Sequence, residues 1–334
     1  SRIVMSLFDK SELDMRRLLP IFRNTEIEIR YTSAPVEWYE QNHSFAAKNK
    51  LYFKTTLALS KEAVQRACES AGIQPQEIDH LFFISTTGIS TPSIDAYLFN
   101  LLNFKPDIRR TPIWGLGCAG GIAGLSRAND WLKAYPEKIA LVIAVELCSL
   151  TFVRNDLSKN NFVATALFGD GCAAALLAGE KYPSQNSRQL TLRDSAAITW
   201  RDSLDVMGWK LDEQGLKVIF SKSIPTIVSQ SSLPAISEFL HKNQIKLENI
   251  DYFLSHPGGA KVIEAYKQAL GLEESQLESM RTVLRNYGNM SSATVFFVLE
   301  HFLKTPHFRE NATLLSAALG PGFSSEMLLM RSGV

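Results

Sequence analysis

No charge of one sign dominates this chain of 334 residues: 35 lysines and arginines stand against 34 aspartates and glutamates. A nucleic-acid binder needs a basic face to neutralise phosphates, and this balance argues against one. Long hydrophobic runs are missing as well. Those present, such as Ile139–Val145, are strand-sized and far short of the ~18 residues of a membrane-spanning helix. The opening Ser1-Arg2-Ile3-Val4-Met5 shows no cationic segment followed by an apolar core, so no signal peptide is visible. Cysteine is scarce: Cys68, Cys118, Cys148 and Cys172 are unclustered, which fits a reducing, cytoplasmic setting rather than a disulfide framework. What the chain does have is apolar material, 46% of its residues. At ~150 residues per domain its length suggests roughly two units, with a core needing no metal or disulfide staple.

Those two units resemble each other. Ile73-Gln-Pro-Gln-Glu-Ile78-Asp79-His80-Leu81-Phe82-Phe83 is echoed by Ile245-Lys-Leu-Glu-Asn-Ile250-Asp251-Tyr252-Phe253-Leu254, an offset of 250 − 78 = 172. Each copy follows an amphipathic stretch, Leu57–Ala71 in the first and Ile227–Lys242 in the second. Short apolar strands are expected at Ile139–Val145, Cys172–Leu177 and Leu314–Leu319, with helices at Ile122–Tyr135, Val262–Leu270 and Thr294–Leu303. Continuous apolar strands alternating with helices indicate sheets covered on both faces. The polar stretch Lys181–Arg188 is the expected joint, dividing the chain into an N-terminal half, 1–183, and a C-terminal half, 184–334.

Three glycine-bounded turns carry the chemistry. Trp114-Gly115-Leu116-Gly117-Cys118-Ala119-Gly120-Gly121 runs from a strand into a helix rich in small residues. A cysteine there faces unsatisfied N–H groups and the positive end of the helix dipole, which favour a thiolate. The other three cysteines read as packing residues. Ser255-His256-Pro257-Gly258-Gly259 ends the second-copy strand and projects His256 where α/β sheets place ligands. Tyr287-Gly288-Asn289-Met290-Ser291-Ser292 precedes another apolar helix. Two other readings were weighed. Gly115-x-Gly117-x-x-Gly120, with Glu146 ending the next strand, matches a dinucleotide fingerprint. However, the cysteine fills the turn where a pyrophosphate needs bare backbone. The order Cys, His, Asn also occurs in papain-like proteases, but their local cysteine context is missing.

With these motifs the chain resembles the type III polyketide synthases of the chalcone and stilbene synthase superfamily, over nearly its whole length from about Arg30. The resemblance rests on Gly117-Cys118-Ala119-Gly120-Gly121, Leu167-Phe168-Gly169-Asp170-Gly171, His256-Pro257-Gly258-Gly259, Gly288-Asn289-Met290-Ser291-Ser292 and Gly320-Pro321-Gly322. Trp114-Gly115-Leu116-Gly117, Met207-Gly208-Trp209 and Lys217-Val218-Ile219-Phe220-Ser221 resemble the bacterial branch, closest to alkylpyrone synthases. It implies a duplicated thiolase-type α/β fold in αβαβα layers. It implies a Cys118 nucleophile with His256 and Asn289 as partners, condensing an acyl-CoA starter with malonyl-CoA, without cofactor or metal, in a homodimer.

Further positions follow from the resemblance. Phe168 matches a gatekeeper, and Val218 falls at the second gate position with Phe220 nearby. Thr86, Thr87, Thr151 and Ser291 match cavity-lining positions, and Gly320, Pro321 and Gly322 a loop that scaffolds the cavity. Arg16, Arg17, Arg23 and Lys261 are candidate CoA-phosphate contacts, although Asn24 replaces a lysine. Thr91 falls where relatives meet their dimer partner. A single-condensation synthase of the ketoacyl synthase III type, and a catalytically idle binding protein of the same fold, stay open as alternatives.

Overall fold

The computed structural model describes residues 7–8, 20–183, 189–220, 224–306 and 308–333. Two four-stranded mixed sheets organise it. The first has the order β2-β1-β3-β4, from His80–Ile84 (β1), Arg109–Ile113 (β2), Ile139–Leu147 (β3) and Asp170–Ala178 (β4). Strand β1 pairs in parallel with β2 and β3, while β4 returns antiparallel to β3. The second sheet has the order β5-β10-β9-β8, from Gln189–Thr199 (β5), Tyr252–Phe253 (β8), Thr313–Gly320 (β9) and Ser324–Gly333 (β10). Between β5 and β8 in sequence, Met207–Asp212 (β6) and Gly215–Phe220 (β7) form a hairpin.

The repeat expected from the sequence is present in the pairing. His80 stands opposite Ala140 in one parallel pair, and Tyr252 opposite Leu314 in the other. The aspartate of each copy explains why the motif recurs. Asp79 accepts a hydrogen bond from the Ile139 N–H at 2.9 Å, and Asp251 accepts one from Thr313 N–H at 2.7 Å. Each clamps the start of a parallel pair, where an unpaired N–H would otherwise go unsatisfied. Lysines 105 and 138 neutralise the first carboxylate and Arg309 the second.

Alternation along β3 shows why its apolar run is continuous. Ala140, Val142 and Ala144 pack in one core beside Ile122, Leu125 and Ala128. Leu141, Ile143 and Val145 pack in another beside Tyr52, Val64 and Cys68. Both faces of the sheet are therefore buried. The helix Gly120–Ala134 (α3) touches β1, β3 and β4 of the first sheet and β5, β9 and β10 of the second. It shares this middle layer with Thr294–Lys304 (α8), which gives the five-layer αβαβα order of a thiolase-type fold. Outside lie Phe45–Ala71 (α1) and Ile94–Leu101 (α2) on one side. Leu233–Lys242 (α5), Ala260–Leu270 (α6) and Glu278–Tyr287 (α7) pack with the other half, and Lys159–Leu167 (α4) leads into β4.

Two helices depart from expectation. Helix α1 starts at Phe45, twelve residues before Leu57. Its buried line is Lys48, Tyr52, Thr56, Ser60, Val64 and Cys68, at strict four-residue spacing; because three of these six are polar, the hydrophobic period is hidden. In the second copy the expected helix is interrupted: an α-helical turn at Ile224–Ile227 passes into a π-turn at Val228–Ser232 before the regular run from Leu233, with Pro234 in its first turn.

Helix α3 reaches the centre because its first turns lack side chains. A Cβ on Gly121 would lie 2.3 Å from the Ser292 carbonyl oxygen, and one on Gly124 would lie 2.7 Å from Ile84 Cδ1. Gly121→Ala is expected to cost about 2 kcal/mol or more, since the opposing group is backbone and cannot swing away. Gly208→Ala, where a Cβ meets nothing within 4 Å, is expected to be near neutral. Urea midpoints of the two variants against the parent measure the difference.

Candidate active site

The Cys118 turn is a short 3₁₀ turn, Gly117–Ala119, that opens α3. Gly117 adopts a φ of +47°, and a Cβ there would stand 2.8 Å from Pro321 Cδ. Gly320 is pressed as closely, its position 2.4 Å from Leu116 O for any added Cβ. The Gly320-Pro321-Gly322 loop is therefore the wall against which the cysteine turn is built. The sulfur of Cys118 lies 3.5 Å from Ser291 Oγ.

Ser291 belongs to the asparagine turn and holds a φ of +49°, rare for a side chain with a Cβ. What holds it there is Asn289, whose Oδ1 accepts the Ser291 N–H at 2.8 Å. The Asn289 amide also donates from Nδ2 to Gly258 O at 2.9 Å, reaching the histidine turn. One N–H of Nδ2 is thus committed to the histidine turn, and the Asn289 side chain also hydrogen-bonds Cys118. The three glycine-bounded turns are joined through these side chains: cysteine to asparagine turn by Ser291, asparagine to histidine turn by Asn289.

His256 lies three residues past the end of β8 and is 5% exposed, and its N–H donates to Ala317 O at 3.2 Å. Neither ring nitrogen has a hydrogen-bond partner among the described residues. Burial alone pushes its pKa down to about 4, so the imidazole rests neutral. Cys118 does not meet the expectation of a resting thiolate. Burial pushes the thiol up to about 12, the Glu146 carboxyl adds to the rise, and hydrogen bonds from Ser291 and Asn289 offset only part of it. A charged sulfur costs more to bury than the turn's dipoles return. The resting pair is a thiol and a neutral imidazole.

Beneath the turns sits Glu146, fully buried at the end of β3. It accepts from Thr86 N–H at 2.9 Å and from Ser292 Oγ at 2.6 Å. Burial raises its pKa to about 7. A residue that looks like a ribose ligand in sequence is thus wrapped in the interior and spans the cysteine and asparagine sides. Sequence reasoning missed this role; a lone acidic residue in an apolar run is the only sign of it.

The residues expected to form the gate assemble from three segments. Phe168 caps α4, and its ring packs 5.8 Å from Phe220 and 5.9 Å from Trp209. Val218 joins the same cluster with Cys148 and Ala164. Trp209 is an addition, marked in sequence only by Met207-Gly208-Trp209. The gate is tied directly to Asn289, since Asn289 N–H donates to Leu167 O and Gly169 N–H to Asn289 O, at 2.9 and 3.0 Å. A Cβ on Gly169 or Gly171 would strike Tyr287 O or Met290 Sδ, at 2.6 and 2.4 Å, which accounts for both glycines of that motif. Asp170 between them accepts from the N–H and Oγ of Ser149 at 2.7 and 2.6 Å, and from Ser33.

Thr86, Thr87 and Thr151 are all buried. Thr87 Oγ1 accepts from Leu147 N–H, and Thr151 Oγ1 donates to Cys148 O. Arg23 and Lys261 are exposed, Lys261 in the first turn of α6; Arg16 and Arg17 lie outside the described residues. Of the remaining cysteines, Cys68 and Cys148 are buried and Cys172 half-buried. Among the described residues no group of three or more His, Cys, Asp or Glu could hold a metal ion.

Family models describe the chalcone and stilbene synthases, and their N-terminal domain matches residues 24–181 and their C-terminal domain 195–334. The chain belongs to this family. A Bacillus subtilis (strain 168) protein with a provisional chalcone synthase name is 47% identical, over 97% of this chain and 91% of its own. The 1,3,6,8-tetrahydroxynaphthalene synthase of Streptomyces peucetius subsp. caesius is 34% identical, over 95% and 84%. The solved tetrahydroxynaphthalene synthase of Streptomyces coelicolor A3(2), a bacterial type III polyketide synthase, superposes with a TM-score of 0.91 at 28% identity, covering 98% of this chain and 91% of that one. The protein is thus an enzyme of the acyltransferase class, a type III polyketide synthase. Such enzymes work on CoA-linked substrates and need no further cofactor.

Glu146 makes the site sensitive to pH in a defined direction. Its folded pKa of about 7 lies above the ordinary glutamate value of 4.5, so between the two the folded state holds a proton that the unfolded chain has released. Stability from this group is greatest at low pH and falls as pH rises from about 4.5 to about 7. Glu146→Gln is expected to flatten that fall, by on the order of 3 kcal/mol across the window. Denaturant titrations of parent and variant at pH 5 and pH 8 measure it.

Proposed function

We propose that this synthase loads an acyl-CoA starter on Cys118, extends it iteratively with malonyl-CoA, and releases alkylpyrone- or alkylresorcinol-type products in the cytoplasm. The observation that carries this reading is the joining of the three turns, Cys118 to Ser291 and Asn289 to Gly258. In it, the N-terminal half, 1–183, supplies the nucleophile, and the C-terminal half, 184–334, supplies His256 and Asn289. A relative from Mycobacterium tuberculosis, 28% identical over 84% of this chain, is named for alpha-pyrone synthesis, which supports the pyrone outcome.

The chemistry follows from two neutral partners. The Cys118 thiol passes its proton to His256 as sulfur attacks the starter thioester carbonyl, and the CoA thiolate leaves with that proton. No charge is buried before substrate arrives. With the acyl group on sulfur, His256 is neutral again and can donate an N–H. Malonyl-CoA then loses CO2, and its electron pair moves onto the thioester oxygen as an enolate. The His256 N–H and the Asn289 N–H that Gly258 does not hold stabilise that oxyanion. The enolate carbon attacks the Cys118 thioester, the thiolate leaves, and the chain is two carbons longer. Phe168, with Trp209, Val218 and Phe220, forms an apolar screen that keeps water from the enolate. Arg16, Arg17, Arg23 and Lys261 are proposed to hold the CoA phosphates.

Cys118→Ala is expected to abolish acyl-enzyme formation by intact-mass spectrometry, and starter loading at another residue would overturn the assignment. His256→Ala and Asn289→Ala are each expected to slow 14CO2 release from labelled malonyl-CoA by about a hundredfold to a thousandfold. A synthase that makes a naphthalene product from malonyl-CoA alone, and loads no other acyl group, would overturn the acyl-starter reading.

We also propose a homodimer through the edge of the first sheet. Trp114 is 57% exposed and Ile89 41% exposed, beside exposed Thr91 and the β2 edge. Trp114→Arg is expected to yield monomers in sedimentation velocity.

A further inference from the structure

Two spaces in the N-terminal half share a single lining residue, Lys48. The outer one is a cleft of about 150 Å³ between Trp38, His43, Phe152, Val153, Arg154 and Gln214. The inner one is lined by Phe45, Asn49, Thr87, Leu150, Thr151 and Leu216, and its volume of about 10 Å³ is room for about one water. Thr87 and Thr151 are two of the residues assigned to the starter cavity, so the inner space is the far end of that cavity on the reading above. Lys48 stands between it and the outer cleft.

The Lys48 side chain is unusual for a lysine. It is 7% exposed on the buried line of α1, and among the described residues no carboxylate pairs with it. Its Nζ donates to Phe152 O at 2.6 Å and to Gln214 O at 3.1 Å. Burial lowers its pKa to about 8, with Asp212 opposing and Lys217 reinforcing that shift. Gly215, at φ +124°, leans on the stem: a Cβ there would lie 3.8 Å from Lys48 Cδ and 3.6 Å from Phe45 Cδ2. Gly215 begins β7, the strand that carries Val218 and Phe220. One ammonium thus ties helix α1, the loop after Thr151 and the gate hairpin together across the cavity's end.

We propose that Lys48 is the floor of the starter cavity and a specificity-determining residue that sets the longest acyl chain the enzyme accepts. The proposal rests on the acyl-starter reading. A methyl terminus reaching the floor meets a polar head already satisfied by two carbonyls, and it can neither displace that head nor pass it. Beyond lies a cleft of mixed lining, in which Trp38, Phe152 and Val153 offer methylenes an apolar wall beside Asn42, Arg154 and Asn155 once the head is gone. Removing the head joins the two spaces and leaves the Cys118 end untouched.

The test measures Cys118 acylation and kcat/KM over straight-chain acyl-CoAs from butanoyl to hexadecanoyl, for the parent, Lys48→Ala, Lys48→Met and Lys48→Arg. Past the parent's longest good starter, Lys48→Ala is expected to gain about fourfold per added methylene for at least two steps, the value of one newly buried CH2. Lys48→Met, which keeps the stem volume, guards against a simple folding defect and is expected to gain less, in the same direction. Lys48→Arg is expected to keep the parent's ceiling. A loss of activity common to all chain lengths, or unchanged profiles in folded Ala and Met variants, would mean that Lys48 is only a structural tie and overturns the proposal. Failure of the parent to acylate Cys118 with any chain would remove the starter reading, and this proposal with it.

Discussion

Everything at the centre of this enzyme depends on how closely two backbones approach at the start of α3. Gly121 lies so near the Ser292 carbonyl that a single methyl group would intrude on it, and Gly117 lies equally near Pro321. This contact is a seam between two halves that share a common plan. It brings Cys118 of one half within reach of Ser291 of the other. Separate the backbones by the width of a side chain and the sulfur loses its neighbours. Catalytic geometry here is a consequence of packing, and the glycines are the residues that permit it.

The seam is also where polar groups are buried most deeply. Glu146, Ser292 and Thr86 form a closed set of hydrogen bonds, and Asp170 holds Ser33 and Ser149 in the same way. Such networks are safe only when every member is satisfied. His256 differs from them: it is buried with neither ring nitrogen hydrogen-bonded to a described residue. That orphaned state is tolerable because the ring is neutral, and it leaves both nitrogens free for incoming atoms. The same environment keeps Cys118 protonated. Charge therefore appears in the site only in transit, during transfer, and not as a standing cost to the fold.

What was legible in the sequence divides along physical lines. The duplication could be read because Asp79 and Asp251 perform the same local clamp, and such jobs keep their spacing. Strands β1, β3 and β9 could be read because both faces are buried. The three turns could be read because glycine is needed where the chain bends sharply or approaches another backbone. The first three turns of α1 could not, since Lys48, Thr56 and Ser60 put polar groups on its buried line. Nor could β10, where Glu326 is buried against Arg127, 199 residues away in sequence. The environment of Cys118 divides in the same way: the helix terminus is visible in sequence, whereas the desolvation that raises the thiol's pKa against it is a property of the assembled site. Trp209 and Glu146 likewise acquire their roles from partners far along the chain.

Duplication also explains why the two halves can carry different chemistry at equivalent ends. In each half, parallel strands deliver side chains to the same edge of the sheet, and α3 and α8 lie back to back between the sheets. Cys118 and His256 then sit on strand-to-helix turns and Asn289 on the turn between α7 and α8, none of them on a long loop. Asn289 makes this concrete. Its backbone pairs with the residues flanking Phe168, and its side chain bonds Gly258 and the N–H of Ser291. One residue therefore positions gate, histidine turn and cysteine neighbour at once. A shift in any of the three is transmitted to the others through bonds of about 3 Å, so the gate cannot move independently of the turns that bracket Cys118.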